Sequence, residues 1–256
     1  MSIFIKGDTH GVASDLRVAF GCIPNPSEND KLIICGDFGA EYGQAVNGRL
    51  KKECKKFPGE IIVLRGNHDN RYWANHTDVN GIPHDGWHIE VSGFQKPYEG
   101  KYLVQDRYPN IKYIQDDGGI YNIDGYMFLM IPGAYSVDKF HRLSSGVNYE
   151  PREQLTKEEM KKLSYDCGLW YNEIDFIISH TAPMKLEPYL RYLFLDFLDQ
   201  SKIDKTMEHW LDDIAWEIEQ GNKFKHWLFG HYHDDKVINQ YYTMLYNTVT
   251  PIERYV

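Results

Sequence analysis

Asp, Asn and His stand at the ends of five apolar runs in this sequence, each group introduced by Gly or Ser. The groups are Gly7-Asp8-Thr9-His10, Gly36-Asp37, Gly66-Asn67-His68-Asp69, Ser179-His180 and Gly230-His231-Tyr232-His233. Imidazole nitrogens and carboxylate oxygens are the ligands expected for divalent Mn, Fe or Zn. An aspartate can also bridge two ions and partly neutralise them. Each group taken alone is weak: an Asp in a turn is more often a cap than a ligand, and a strand-end His is more often a surface residue. His231 and His233 flank Tyr232, and on an extended strand their side chains would point the same way. The strength lies in the set, because so many polar side chains buried at one sheet edge would be costly without a cation.

The elements that must position these residues follow from the apolar pattern. Short apolar runs at Ser2 to Lys6, Lys31 to Cys35 and Glu60 to Arg65 read as buried strands,. Helical stretches follow the first two, over Val12 to Phe20 and Gln44 to Phe57. Strands alternating with helices indicate βαβ units and a buried sheet, so the fold class is α/β. In such sheets ligands sit outside the carboxyl ends of the strands, where the polar groups fall. Asp124-Gly125 between Gly119 to Ile123 and Tyr126 to Ile131 is a hairpin signal,. Leu155 to Tyr171 reads as an amphipathic helix, and Ile174 to Ser179 and Phe224 to Phe229 read as strands delivering His180 and His231. Two short strands near the C-terminus are expected to complete a sheet. The chain is expected to form one domain over residues 1–256, with an irregular insertion around 75–118 and a helical one around 187–220. Within the latter, Pro188 to Leu198 is unusually apolar and is expected to pack as a helix against the sheet.

Composition narrows the function classes. A chain of 256 residues with 42% hydrophobic residues is globular,. Its formal net charge of -9 disfavours broad duplex DNA binding, which relies on Lys and Arg neutralising phosphates,. A phosphorylated substrate stays open, since bound cations supply local positive charge. Cys22, Cys35, Cys54 and Cys167 are scattered, with no CxxC pair, and read as reduced thiols,. No run reaches the ~18 apolar residues of a membrane span, and MSIFIKGDTH lacks the pattern of a secretory leader,. The expected location is the cytoplasm.

The ordered motifs GDTHG, GDFG, RGNHD, SH and GHYH resemble those of the calcineurin-like metallophosphoesterase superfamily from Gly7 to His233. The resemblance implies a four-layer α/β/β/α sandwich of two mixed sheets flanked by helices. It implies two divalent or trivalent metal ions, with Mn, Fe and Zn all compatible. Asp8, His10 and His233 would hold the first ion, and Asn67, His180 and His231 the second, with Asp37 bridging. His68 would contact the substrate phosphate or protonate the leaving group, and Asp69 would orient His68. A hydroxide bridging the metals would attack phosphorus in line. Two metals ~3.5–4 Å apart suit that chemistry physically.

After Asp37 the chain departs from the GDxxDRG pattern of serine/threonine protein phosphatases, because Gly39 is followed by Ala40-Glu41-Tyr42. The arginine that binds phosphate in that branch therefore has no counterpart there. Lys139 and Arg142, in the segment after the strand that ends near Ile131, are candidate substitutes,; an exposed charged loop explains them equally well. Arg65 and Arg71 are weaker candidates. The leading reading is hydrolysis of a phosphate ester, on a small molecule or a phosphoprotein. A phosphodiesterase or nuclease acting on small diesters or single strands is the alternative. A non-catalytic scaffold is disfavoured because every ligand position and His68 are retained. A structural metal site would favour paired cysteine thiolates. The sequence sets neither substrate nor oligomeric state.

Overall fold

A computed structural model describes residues 1–92, 100–145, 150–190 and 203–256. Two mixed sheets lie at its centre. The first has seven strands: β1 (Ile3–Lys6), β2 (Lys31–Ile34), β3 (Glu60–Val63), β4 (Trp87–Ser92), β5 (Gly100–Gln105), β6 (Ile111–Ile114) and β13 (Val249–Pro251). Their spatial order is β13-β1-β2-β3-β6-β5-β4. The four inner strands β1, β2, β3 and β6 run parallel. The second sheet has six strands: β7 (Gly119–Ile123), β8 (Tyr126–Ile131), β9 (Phe176–Ser179), β10 (His226–Phe229), β11 (Lys236–Val237) and β12 (Tyr242–Met244). Their order is β11-β12-β10-β9-β8-β7, with β8, β9, β10 and β12 parallel.

Alternation along each inner strand explains why the apolar runs are continuous. Ile5, Ile33 and Ile62 face Phe128, Phe176, Ile178 and Leu228 in the core between the sheets. Phe4, Leu32, Ile34 and Ile61 face the other way, onto Leu16 of α1 (Ala13–Cys22) and Leu50 of α2 (Gln44–Cys54). On the far side, Ile177 and Trp227 pack under Leu163 of α5 (Lys157–Trp170) and Leu211 and Ile214 of α6 (Thr206–Ile218). Both faces of each central strand are thus removed from water, which is the arrangement parallel sheets require. The result is the expected four-layer α/β/β/α sandwich. Helix α5 starts at a capping box, with Thr156 and Glu159 satisfying each other's backbone N–H groups,.

The described part of 75–118, expected as loops and short strands including one at Trp87 to Val91, holds β4, β5 and β6, which pair in register and extend the first sheet. Charge obscured β6 in particular, where Lys112 is buried while paired with Glu90 of β4 and Glu60 of β3. At the C-terminus there are three short strands, and β13 joins the opposite sheet from β11 and β12. Residues 188 and 189 belong to a 3-10 turn (Met184–Tyr189), and the helix expected over Pro188 to Leu198 otherwise lies outside the described residues. The hairpin at Asp124-Gly125 forms as expected. Among the described residues no helix is long and apolar enough to cross a membrane.

Candidate metal centre

The loops that leave β1, β2, β3, β9 and β10 converge at one edge of the sandwich. They bring Asp8, His10, Asp37, Asn67, His180, His231 and His233 together. Asp8, His10 and His233 have ligand atoms within 4.8 Å of one another, and so do Asp8, Asp37 and His180. Asp8 belongs to both groups. Nε2 of His10 lies 2.8 Å from Nε2 of His233, and Nε2 of His233 lies 3.2 Å from Oδ2 of Asp8. Oδ2 of Asp37 is 3.6 Å from Nε2 of His180 and 3.9 Å from both Nδ1 of His10 and Nε2 of His68. The rings of His180 and His231 meet edge-on, with centroids 4.9 Å apart.

The hydrogen bonds fix which atoms point inward. His180 places Nδ1 2.7 Å from the carbonyl of Cys35, so that nitrogen carries the hydrogen and donates it. The amide nitrogen of Asn67 donates to Oγ of Ser136 at 2.8 Å. The remaining atoms, Nε2 of His180 and Oδ1 of Asn67, then face each other at 2.7 Å. Two lone pairs at that separation need a proton or a cation between them. Burial alone would lower the basicity of His180, but Asp37 and Asp8 outweigh it and raise its pKa to about 9. Oδ2 of Asp8 and Oδ2 of Asp37 are buried with no hydrogen-bond partner among the described residues. Such orphaned carboxylate oxygens are costly unless an ion completes them. Burial and then the His180 charge push His231 down to about 3, which keeps its imidazole neutral. A neutral imidazole is the metal-ligating form. The donor set therefore fits borderline divalent ions.

The backbone is strained at this edge. Six non-glycine residues have a positive φ among those described, and four of them are His10 (46°), Asp37 (46°), His231 (70°) and His233 (54°). Left-handed backbone at non-glycine residues clusters at functional sites. His231 and His233 consequently do not share the face of an extended strand: β10 ends at Phe229, and both histidines sit in a tight loop. They reach the centre through loop geometry instead.

The glycines before the ligands have a packing role. A Cβ on Gly36 would lie 2.1 Å from Nδ1 of His180, one on Gly66 would lie 2.0 Å from Oδ1 of Asp37, and one on Gly230 would lie 2.3 Å from Oδ1 of Asp8. In each case the ligand of another loop fills the space a side chain would need.

The expected role of Asp69 is corrected. Its Oδ2 accepts from the backbone N–H groups of Phe38 and Gly66, at 2.9 and 3.0 Å. Its Oδ1 accepts from the N–H of Gly39 at 2.8 Å and from the hydroxyl of Tyr72 at 3.0 Å. Among the described hydrogen bonds none joins it to His68. Asp69 clamps the loops after β2 and β3. Burial and the Asp37 charge still raise it to about 6, against the pull of these donors. The acid that His68 faces is Asp37, whose Oδ1 also accepts the His68 N–H at 2.8 Å.

Lys139 and Arg142 lie on α4 (Lys139–Ser145), after the segment whose Ser136 holds Asn67. Lys139 sits over the ring of Tyr135 at 5.2 Å, and Arg142 is 4.0 Å from Asp138. Arg65 and Arg71 are structural instead. Buried Arg65 donates to the carbonyls of Gly66 and Glu153, and Arg71 grips Glu159.

Several residues that complete the site were missed. Lys6 is buried and donates to the carbonyls of Asp8 and Tyr246. Asp235 accepts the N–H groups of Tyr246, Asn247 and Thr248, and the ring of Tyr246 stacks on His233 at 4.9 Å. Asp235 could have been suspected as the second residue of the Asp234-Asp235 pair that follows GHYH. Nothing in the local sequence marks Lys6 or Tyr246.

Comparison with known proteins gives a family. The family model for calcineurin-like phosphoesterases matches residues 1–235. No curated protein matches the chain significantly. Among solved structures, a phosphopantetheinyl hydrolase from Mycobacterium tuberculosis is similar at 14% identity over 96% of this chain and 90% of that one, with a TM-score of 0.44. A protein of unknown function, AQ665, from Aquifex aeolicus is similar at 13% identity over 70% of this chain and 77% of that one, with a TM-score of 0.34.

Proposed function

Because the chain belongs to the calcineurin-like phosphoesterase family, we propose that it hydrolyses its phosphate ester at a dinuclear centre held by Asp8, His10, Asp37, Asn67, His180, His231 and His233. The observation that carries this reading is the convergence of buried ligand side chains from separate loops, with two carboxylates among them. Nε2 of His180 and Oδ1 of Asn67 meet at 2.7 Å, beside Oδ2 of Asp8 and Oδ2 of Asp37, which imidazole nitrogens of His233 and His180 approach at 3.2 and 3.6 Å. Asp8, His10 and His233 form one ligand group, Asn67, His180 and His231 the other, and Asp37 lies between them. When bound, the two ions supply Lewis acidity at a phosphoryl oxygen and acidify a water that serves as nucleophile.

The chain's own residues do the rest. Asp8 and Asp37 set the negative charge of the centre, and the Cys35 carbonyl holds His180 in the tautomer that presents Nε2,. His68 borders the centre, its ring 5.6 Å from that of His10 and its Nε2 facing Asp37. Its side chain is 17% exposed, so it can meet a leaving group entering from solvent. A histidine placed there is the group in reach to give a proton to an alkoxide leaving group. Lys139 and Arg142 on α4 are the proposed contacts to the non-transferred part of the substrate.

The substrate is a phosphorylated small molecule or phosphoprotein. The test compares p-nitrophenyl phosphate with bis-p-nitrophenyl phosphate, nucleotides and short nucleic acids, each with added Mn²⁺. Turnover of the monoester that disappears on chelation and returns with Mn²⁺ is the expected result. A dominant diester rate would shift the reading to a phosphodiesterase. No turnover of any ester, with metal bound, would refute the reading. For the contacts, Arg142→Ala is expected to raise KM, and an unchanged KM would remove Arg142.

A further inference from the structure

Helix α6 lies outside the motif-bearing loops, yet its first turn reaches two of them. Glu208 is buried, and its Oε1 accepts from the hydroxyl of Thr181 at 2.9 Å. Oγ1 of Thr181 also lies 2.8 Å from the hydroxyl of Tyr232. One assignment uses each hydrogen once: Tyr232 donates to Thr181, and Thr181 donates to the carboxylate. Thr181 directly follows His180, and Tyr232 stands between His231 and His233. A single carboxylate therefore ends a chain of bonds that holds three candidate ligands from two loops.

The anchor is firm. Met207, Leu211, Ile214 and Ala215 bury α6 against the second sheet. Trp210 donates to Oγ of Ser164 on α5 at 2.8 Å. Asp212 accepts the N–H of Lys185 in the turn after the His180 loop. The second oxygen of Glu208 has no partner among the described residues. Glu208 itself lines a cavity of ≈ 30 Å³ together with Tyr135, Ala182, Met184, Lys205 and Tyr232, which is large enough for a water. A polar side chain placed in an apolar core without an evident partner for one oxygen is unfavourable for folding alone. A role in the site explains its presence better.

We infer that Glu208 is a positioning residue, which sets the His180 and His231–His233 loops through the Thr181 and Tyr232 hydroxyls and so fixes the affinity for one of the two metal ions. This rests on the dinuclear reading above. Residues that orient ligands without touching the ion typically change metal affinity by about 10–100-fold when removed.

The test titrates metal-free protein with Mn²⁺ by calorimetry. Wild type is expected to bind two ions. Glu208→Ala is expected to weaken one of them at least about tenfold, while Glu208→Gln, whose carboxamide oxygen still accepts from Thr181, stays within about threefold. Raising Mn²⁺ is expected to recover the kcat of Glu208→Ala on p-nitrophenyl phosphate, which a collapsed site would not allow. Thr181→Val breaks the same chain at nearly constant volume, is expected to weaken the same ion at least about tenfold, and carries the test where Glu208→Ala fails to fold. Unchanged Mn²⁺ affinity in either folded variant overturns the inference alone. A wild type that binds no Mn²⁺ overturns the dinuclear reading and this inference with it.

Discussion

Gly36→Ala tests the packing of the site through a single methyl group. The new Cβ would lie 2.1 Å from Nδ1, 2.6 Å from Cγ and 2.9 Å from Cε1 of His180. Real Cβ atoms essentially never come within 3.0 Å of a neighbour, so the ring or the loop must shift by about 0.9 Å. The ring is fully buried and cannot swing into solvent. Three terms add. Alanine at a φ of +99° is strained by about 1–2 kcal/mol. Losing the His180 bond to the Cys35 carbonyl removes about 1 kcal/mol. Overpacking adds about 1–3 kcal/mol. The metal-free protein is therefore expected to lose about 3–6 kcal/mol in urea unfolding, the sum of these terms. Calorimetry with Mn²⁺ should show one strong site missing, because His180 no longer meets Asn67. Gly48→Ala is the internal control. Gly48 lies within α2, and nothing stands within 4 Å of its missing Cβ. There alanine should stabilise by about 0.5–1 kcal/mol. If Gly36→Ala keeps wild-type stability and binds two ions, the close-approach argument is wrong.

The clamp and the acid separate in a second pair of variants. Asp69→Ala deprives three backbone N–H groups of their acceptor and is expected to lower stability by about 2 kcal/mol or more, read by urea unfolding. His68→Ala should stay within about 1 kcal/mol of wild type and keep two ions while losing most turnover; unchanged turnover would remove His68 from the chemistry. His226 is expected to make the fold acid-sensitive. Its Nδ1 lies 3.1 Å from the Gln240 carbonyl and its Nε2 lies 2.8 Å from the Thr243 hydroxyl, which suits the neutral ring, and burial lowers its pKa from 6.5 to about 4. Below pH 6.5 the unfolded chain takes up a proton that the folded chain refuses, so stability falls as the pH drops towards 4. The full loss is about 3 kcal/mol, of which about 2 kcal/mol should appear between pH 7 and pH 5. Urea melts at the two values should show the change in stability from pH 7 to pH 5 to be about 2 kcal/mol more destabilising in wild type than in His226→Gln, where the other titrating groups remain. Chelation should lower the melting temperature in proportion to the free-metal affinity, and re-addition of Mn²⁺ should restore it.

What the sequence made legible was the part governed by short-range rules. An apolar run buried on both faces, then glycine, then a ligand is a local pattern, and it located β1, β2, β3, β9 and β10 with their loops. The Asp124-Gly125 turn is equally local. The failures share a different cause. Lys112 reads as a solvated charge until Glu90 and Glu60, from two other strands, are brought beside it. Asp69 stands next to His68 in sequence, but its oxygens point to Phe38, Gly39 and Gly66 instead. His231 and His233 alternate as a strand would, but the chain bends at both. Glu208 sits 27 positions from Thr181 in the chain, inside a helix whose apolar face accounts for its neighbours. Pairings set by tertiary contact leave no mark in a single sequence.

The glycines that admit another loop's ligand have a mechanical consequence. Gly230, at the end of a strand in one sheet, receives Asp8 from the other, and Gly36 in the first sheet receives His180 from the second. The two sheets are thus keyed together at one edge in both directions, like the teeth of a vernier. Sliding either sheet by one residue, about 3.3 Å, would drive backbone into a ligand side chain. The centre therefore serves as a gauge of alignment between the two halves of the sandwich. An alternative stacking of the sheets, however well it filled the apolar core, would be rejected at this edge before any substrate arrived.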